Sequence, residues 1–462
     1  MINNDEPMVW MILLAALILV ISVVILLQAK QLVKLLTRSS NYPPWMEGLP
    51  YYGRVVLLLA AASMVIYLNG WEAHILNWLN LLVRWTHVII GIAWIGASFY
   101  FVFLENSLNR TENIREELAG NLWAIHGGGF YYVEKYKVAP AEIPKKLHWF
   151  KYEAYFTWIT GILLMIIVYY SQANVTMVGQ LQLGTALSIF IGVGSLLAGW
   201  LVYDGICRTW LIDRPIWFFL VMFGFIVLMA WLLSYLLSAK AAYMHVGAML
   251  GTMMAGNVFR VIIPSQKAMV KAAESQEPLD PYLGQHAGLR SLHNNYFTLP
   301  VVFIMISGHF PSTFGHPYNW AVLGGLFLVS AGIRHYLNLI EKGQQAFWIL
   351  PFATLGVIVL AFITAPPASD QDLGEEVSFQ EIRTIFTNRC NTCHAANPTD
   401  ELWVAAPNGV MFDTPDQIVA MKDQIMMRVV VTETMPMGNT TNITPEERDM
   451  IRRWILQGAT VN

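Results

Sequence analysis

The sequence predicts an all-α protein in which a polytopic bundle of eight to ten membrane-spanning helices is followed by a small, all-α soluble domain. Three observations carry this reading. Of 462 residues, 56% are hydrophobic and only 13% charged, whereas soluble proteins carry about 25% charge. Apolar stretches long enough to cross about 30 Å of hydrocarbon recur from residue 8 to about residue 364. After Ala365, Pro366, Pro367 and Ala368 the composition turns polar and acidic. The same figures exclude other classes. With 28 Lys and Arg against 31 Asp and Glu, and a net charge of −3, the chain lacks the basic excess that nucleic acid demands. Three cysteines supply no disulfide framework. Seventeen tryptophans suit aromatic belts at two membrane surfaces.

Ten apolar stretches can be drawn, at about 8–28, 54–69, 83–104, 153–171, 183–203, 216–237, 241–263, 295–311, 318–339 and 345–364. The second and eighth are short, and the sixth and seventh are parted only by Ser238 to Lys240, so eight or nine spans also fit. The first is expected to remain as an anchor, because Asp5 and Glu6 stand where a signal peptide has its basic region. With ten spans and an outer N-terminus, the inner loops collect most of the Lys and Arg, while the outer side holds Arg84 and Lys240. By the positive-inside rule this puts the C-terminus on the periplasmic side of a bacterial inner membrane.

The chain therefore divides into a membrane body, 1–365, with 21 basic and 17 acidic residues, and a C-terminal domain, 366–462, with 7 and 14. The acidic surplus of the latter suits a basic partner protein. Its helices are expected at about 375–388, at about 416–431, and from Thr444, where an N-cap Thr, Pro445 and Glu447 form a capping box.

Cys390, Asn391, Thr392, Cys393 and His394 spell C-x-x-C-H, the c-type haem attachment sequence, in which two thiols add to haem vinyl groups and the adjacent histidine becomes an axial ligand. A zinc site would need two further ligands at matching spacing, and none follows. A methionine in the loop before the last helix is expected as the sixth ligand. Thr434, Met435, Pro436, Met437 and Gly438 offer two, and the Met-Pro step favours Met435 over Met437. Covalent haem attachment occurs on the periplasmic side, in agreement with the charge-derived topology.

Ionisable groups inside a bilayer are costly and are functional candidates by default. His87, His245 and His309 fall near the outer surface at similar depth. A pair of them could ligate a b-type haem or another metal between helices, and the alternative is that each histidine bonds to a neighbouring helix. The inner ends are polar in another way, with Glu105, Asn106, Asn257, Arg260, Arg334, His335 and Asn338 on spans and His126 and His148 in the loop after the third span. Guanidinium and amide groups beside aromatic rings suit a flat, anionic, amide-rich heterocycle, although inner arginines also serve as membrane anchors. His126 opens a His-Gly-Gly-Gly run whose glycines let backbone approach a ligand or a helix. The esterase reading of such a run fails because no G-x-S-x-G is present.

The segments Arg84 to Tyr100, Trp123 to Tyr131 and Leu147 to Tyr155, together with the haem motif, resemble the membrane-integral bacterial urate oxidases fused to a cytochrome c, the PuuD urate hydroxylase type. The resemblance implies a urate oxidase domain over 1–365 and a periplasmic cytochrome c domain over 366–462. It implies oxidation of urate to 5-hydroxyisourate with water as the oxygen source, and electrons passed through one covalent haem c to a periplasmic cytochrome c or a terminal oxidase. On this expectation Arg260 binds the urate anion and His126, His148 or His335 takes its proton, while Cys390, Cys393, His394 and Met435 hold the haem. Two rivals remain at this point: a quinol or small-organic dehydrogenase reducing a periplasmic cytochrome, and a membrane-anchored electron carrier without catalysis.

Overall fold

The computed structural model describes residues 60–461 apart from 67, 70, 141, 180, 366–372, 401, 402 and 404. The expected first span, the start of the second and residues 366–372 of the proline linker lie outside the described residues; 60–66 are helical. Nine helices of more than five residues follow in the membrane body: α1 (Glu72–Ser107), α2 (Tyr152–Met165, extended by a π turn to Tyr170), α3 (Thr185–Ile206), α4 (Pro215–Leu236), α5 (Ala239–Asn257), α6 (Ile263–Glu274), α7 (Pro281–Ser307), α8 (Asn319–Glu341) and α9 (Ile349–Ile363). A π turn over Val258–Ile262 joins α5 and α6 into one 36-residue helix.

Six helices among the described residues are long and apolar enough to cross a membrane: α1, α2 with its π turn, α3, α4, α5 with α6, and α8. Two expected spans behave differently. Helix α9 has 15 residues, and α7 starts at Pro281 rather than 295, so it carries Arg290, His293, Asn294 and Asn295 within it.

Helix α5 is the axis of the bundle. Half of its apolar window is buried inside the protein, against 17–33% for the other five, and α3, α4 and α7 all pack on it. Close approach is possible because it is rich in Ala and Gly, and small residues let membrane helices come together where no hydrophobic effect drives them. Gly256 lies against the Trp200 indole on α3, and Gly192 of α3 lies against the His245 ring on α5; a Cβ at either position would sit 2.4 Å from those rings.

The all-α expectation is corrected between α1 and α2. Leu118–His126 (β1) and Gly129–Tyr136 (β2) pair as an antiparallel hairpin. Gly127 and Gly128 have φ of 56° and 79°, the double positive φ of a two-residue hairpin turn, which glycine adopts without steric cost. The glycines after His126 therefore turn a strand. Ion pairs from Lys135 and Arg110 to Glu105 hold the hairpin against the end of α1. The two ends of the bundle are named below for Lys240 and for this hairpin.

The C-terminal part folds around its own core of Val377, Ile382, Phe386, Ile451 and Trp454 among others. It contains α10 (Phe379–Arg389), α11 (Pro415–Ala420) and α12 (Pro445–Leu456). Each begins with a capping box, Ser378 with Glu381, Thr414 with Gln417, and Thr444 with Glu447. The expected helix at 416–431 is broken at Met421 and finishes as a π turn over Met426–Val431.

Replacing Gly256 by Ala forces a methyl group into the Trp200 ring, whereas at Gly251 of the same helix a Cβ meets nothing within 4 Å. Overpacking costs about 1–3 kcal/mol. Thermal unfolding of the full-length protein in detergent should show Gly256→Ala clearly destabilised and Gly251→Ala near wild type. Equal midpoints for the two variants would mean that the contact with Trp200 is not close-packed.

Candidate functional site

The C-x-x-C-H segment caps the C-terminus of α10. The backbone N–H of Cys390 donates to the Phe386 carbonyl at 2.9 Å, and that of His394 to the Cys390 carbonyl at 2.8 Å, so the turn brings both thiols and the imidazole to one cavity wall. Burial pushes the Cys390 thiol up to about 12 and raises Cys393 as well. His394 is lowered by burial, and its Nδ1–H donates to the Val410 carbonyl at 2.9 Å. That bond fixes the ring and leaves Nε2 as the ligating nitrogen, the orientation that a metal-bound histidine needs.

Met435 lines the same cavity with Phe386, Phe412, Ile425 and Val429. Its loop is held by a residue that sequence reasoning missed. Arg448, buried on α12, donates from Nη1 to the Met435 carbonyl at 2.8 Å and also to the Val429 carbonyl. The Met435 N–H in turn donates to the Arg428 carbonyl at 3.0 Å. Two thiols, an oriented imidazole, a tethered thioether and an apolar lining match the donor set of a covalent c-type haem, so the residues present fit that group.

The cavity is large, about 2720 Å³, and only part of its wall belongs to the C-terminal domain. The rest is the Lys240 end of the bundle, including His74 and Asn80 of α1, Tyr169, Tyr235, Lys240, His309 and Trp320. The two parts touch closely. A Cβ on Gly315 would lie 2.3 Å from Thr432, and one on Gly438 would lie 3.3 Å from the Val175 carbonyl oxygen. The crevice that carries Cys390, Cys393 and His394 therefore faces the membrane helices.

His309 reaches this cavity, whereas the other two histidines of the expected trio are engaged inside the bundle. His87 bonds through Nδ1 to the Thr160 hydroxyl at 3.0 Å. His245 donates from Nδ1 to the Ala241 carbonyl at 2.7 Å and accepts at Nε2 from the Tyr170 hydroxyl at 3.2 Å. Among the described residues no group of three or more His, Cys, Asp or Glu is placed to hold a metal ion.

Toward the hairpin end lies a buried polar network on α3, α5, α7 and α8. Arg290 donates from Nη2 to Asp204 at 2.8 Å and from Nη1 to Asn257 at 3.1 Å, with its guanidinium 5.1 Å from the Tyr203 ring centre. Asn257 donates to the Tyr203 hydroxyl and to Asn294, both at 2.8 Å. Tyr203 in turn bonds to His293 Nδ1 at 2.9 Å. Beside it, Arg334 donates from Nε to Asn295 at 2.8 Å, and Asn338 donates to the same oxygen at 3.1 Å.

The residues expected to form the inner site lie outside this network. Arg260 is exposed on the π turn, and the buried guanidinium nearest Asn257 is that of Arg290. His126 is exposed at the hairpin tip, and His148 is exposed against Phe150, with ring centres 4.5 Å apart. His335 is exposed and bonds to the Tyr296 hydroxyl at 2.7 Å. Arg290, His293 and Asn294 escaped the sequence reading because the span was begun at 295, which left them in a loop. The available signal was polar residues at helical spacing from Arg290 through Asn294, continuous with the apolar run.

The model of the family described as urate oxidase N-terminal matches residues 73–365, which covers the helical bundle with its hairpin and stops short of the C-x-x-C-H domain. No curated protein and no solved structure matches the chain. A match over more than half of the sequence shows the relationship, and the chain belongs to the urate oxidase N-terminal family, as a urate-related oxidoreductase with membrane-type helices.

Proposed function

We propose that the protein oxidises urate to 5-hydroxyisourate in its membrane body and delivers the electrons to a c-type haem in its C-terminal domain, on the periplasmic side of a bacterial inner membrane. Urate and one water give 5-hydroxyisourate, two protons and two electrons, so a two-electron acceptor, or one haem acting twice, closes the balance. A periplasmic cytochrome c or a terminal oxidase completes the route. The observation that carries the proposal is the shared cavity: Cys390, Cys393, His394 and Met435 face Tyr169, His309 and Trp320 of the family-matched bundle across one space.

Cys390 and Cys393 would hold such a haem covalently and His394 and Met435 would ligate its iron, and the group would supply one-electron acceptance. The chain's own residues do the rest. Val410 orients His394, and Arg448 fixes the Met435 loop. In the bundle, arginine and amide groups hold the substrate anion, and the apolar helices keep it from bulk water. The network toward the hairpin end also shortens the distance to be covered. Arg334 is fifteen residues along α8 from Asn319, which lines the cavity, or about 22 Å at 1.5 Å per residue, compared with a bilayer of about 30 Å.

Adding urate anaerobically to the oxidised, purified protein should reduce the haem band, and half an equivalent per chain should suffice because each urate yields two electrons. A quinol dehydrogenase would leave the band unchanged with urate and reduce it with quinol. In the haem domain, Arg448→Ala frees the Met435 loop. Since methionine ligation raises the haem potential, the variant should lose the methionine-to-iron charge-transfer band and titrate at a lower potential while keeping its covalent haem. An unaltered band and potential would remove Arg448 from that role.

A further inference from the structure

Three of the seven buried side-chain atoms without a hydrogen-bond partner among the described residues belong to one cluster: Asn295 Nδ2, Arg334 Nη2 and Asn338 Oδ1. Their residues are 0%, 1% and 4% exposed. Within apolar surroundings each unsatisfied polar group costs several kcal/mol, so three in one place mark a site that is completed by something else. The cluster is built by side chains one turn apart on α8, Arg334 and Asn338, that share the single Asn295 oxygen on α7. Sharing uses both lone pairs of that oxygen and leaves one polar atom of each side chain without a partner.

The contrast with Arg290 shows which arginine is committed to the fold. Arg290 has both terminal nitrogens bonded, one to Asp204 and one to Asn257, and only its Nε lacks a partner. Arg334 bonds through Nε to Asn295, while its Nη2 has Glu341 no nearer than 3.8 Å, and the other oxygen of Glu341 accepts from Asn106 at 2.9 Å. The guanidinium carbon of Arg334 lies over the Phe99 ring of α1, 4.2 Å from its centre, which holds the group against that ring.

We propose that Arg334, Asn295 and Asn338, backed by Phe99, form the recognition site for the imide edge of a purine anion. This rests on the urate reading above and names the part of the bundle that would receive the substrate. An imide edge, O=C–NH–C=O, presents two acceptors and one donor. The cluster has the complementary set left over, donors on Arg334 and Asn295 and an acceptor on Asn338. The undercompensated guanidinium supplies the charge that the urate monoanion requires. A site built from hydrogen-bonding groups discriminates strongly against analogues that leave them unpaired. Xanthine, which keeps the imide edge, is therefore bound, and hypoxanthine, which lacks one of its two carbonyl groups, is rejected.

The test uses the full-length haem-loaded protein in detergent and its Arg334→Lys and Asn338→Ala variants. Haem content and thermal midpoint serve as checks on folding. Asn338→Ala removes the smaller group, and Arg334→Lys keeps the charge, so one variant remains informative if the other fails to fold. KM for urate should rise roughly tenfold or more in each, as expected for loss of a hydrogen bond to a charged or buried group. Calorimetry on the oxidised wild type should show xanthine binding more tightly than hypoxanthine, and that preference should shrink in Asn338→Ala. A merely structural role would lower stability but leave the preference intact. If wild type is reduced by urate while the variants keep KM within about twofold and an unchanged preference, the site is elsewhere and the urate reading stands. If wild type is not reduced by urate at all, the urate reading falls, and xanthine calorimetry alone then decides whether the cluster recognises an imide edge.

Discussion

Inside a lipid bilayer no water is available to satisfy a polar group, so every buried donor or charge must find its partner within the protein. In this chain the demand is concentrated on the ion pair between Arg290 and Asp204 and the amide of Asn257 beside it. These three residues sit on α7, α3 and α5, and the helices cannot slide past one another without exposing an uncompensated buried charge, which costs several kcal/mol. The apolar residues of the bundle make it insoluble in water but leave its helix register loosely specified. Small residues on α5 allow close approach, and the polar network fixes which faces meet.

The two ends of that arrangement have different chemistry. Toward Lys240 the bundle presents Tyr169, His309 and Trp320 to the crevice of the C-terminal domain. Toward the hairpin the network runs from Arg290, whose two terminal nitrogens are bonded and whose Nε is not, to the three unpartnered atoms of Asn295, Arg334 and Asn338. Within the network, Tyr203 has the Trp200 and Phe297 rings beside it, each with its centre about 6 Å from its own. Two of the bundle's histidines also tie helices together. His87 and His245 secure α1 to α2 and α5 to the end of α2, through Thr160 and Tyr170.

Some features follow from local rules and were therefore legible. The turn at Cys390 to His394, the Thr444 capping box and the apolar lengths of most spans depend on residues within a few positions of one another, and the structure places them as read. The hairpin was also local, since two glycines divide strand-like runs rich in Trp, Ile, Phe, Tyr and Val. It was obscured by the weight given to His126 as a ligand-binding residue. The start of α7 was missed because a hydropathy reading stops where polar residues begin, although a helix whose polar side chains are met by other helices can continue through them.

The sequence by itself determined that this chain has helices long and apolar enough to cross a membrane and, after them, a C-x-x-C-H segment, because composition, span length and a five-residue motif act through short-range chemistry. Only the tertiary structure decided which arginines are buried, since Arg260, Arg290 and Arg334 are equivalent as letters. Burial was settled by whether Asp204, Asn257 and Asn295, more than 30 residues away from their arginine partners, come within hydrogen-bond reach. It also decided that the haem-motif crevice faces the bundle, through contacts such as Gly315 with Thr432 that no local pattern encodes. Hydrogen bonds and close packing act over a few ångströms in space with no regard for separation along the chain, and the inner site is made of such pairings.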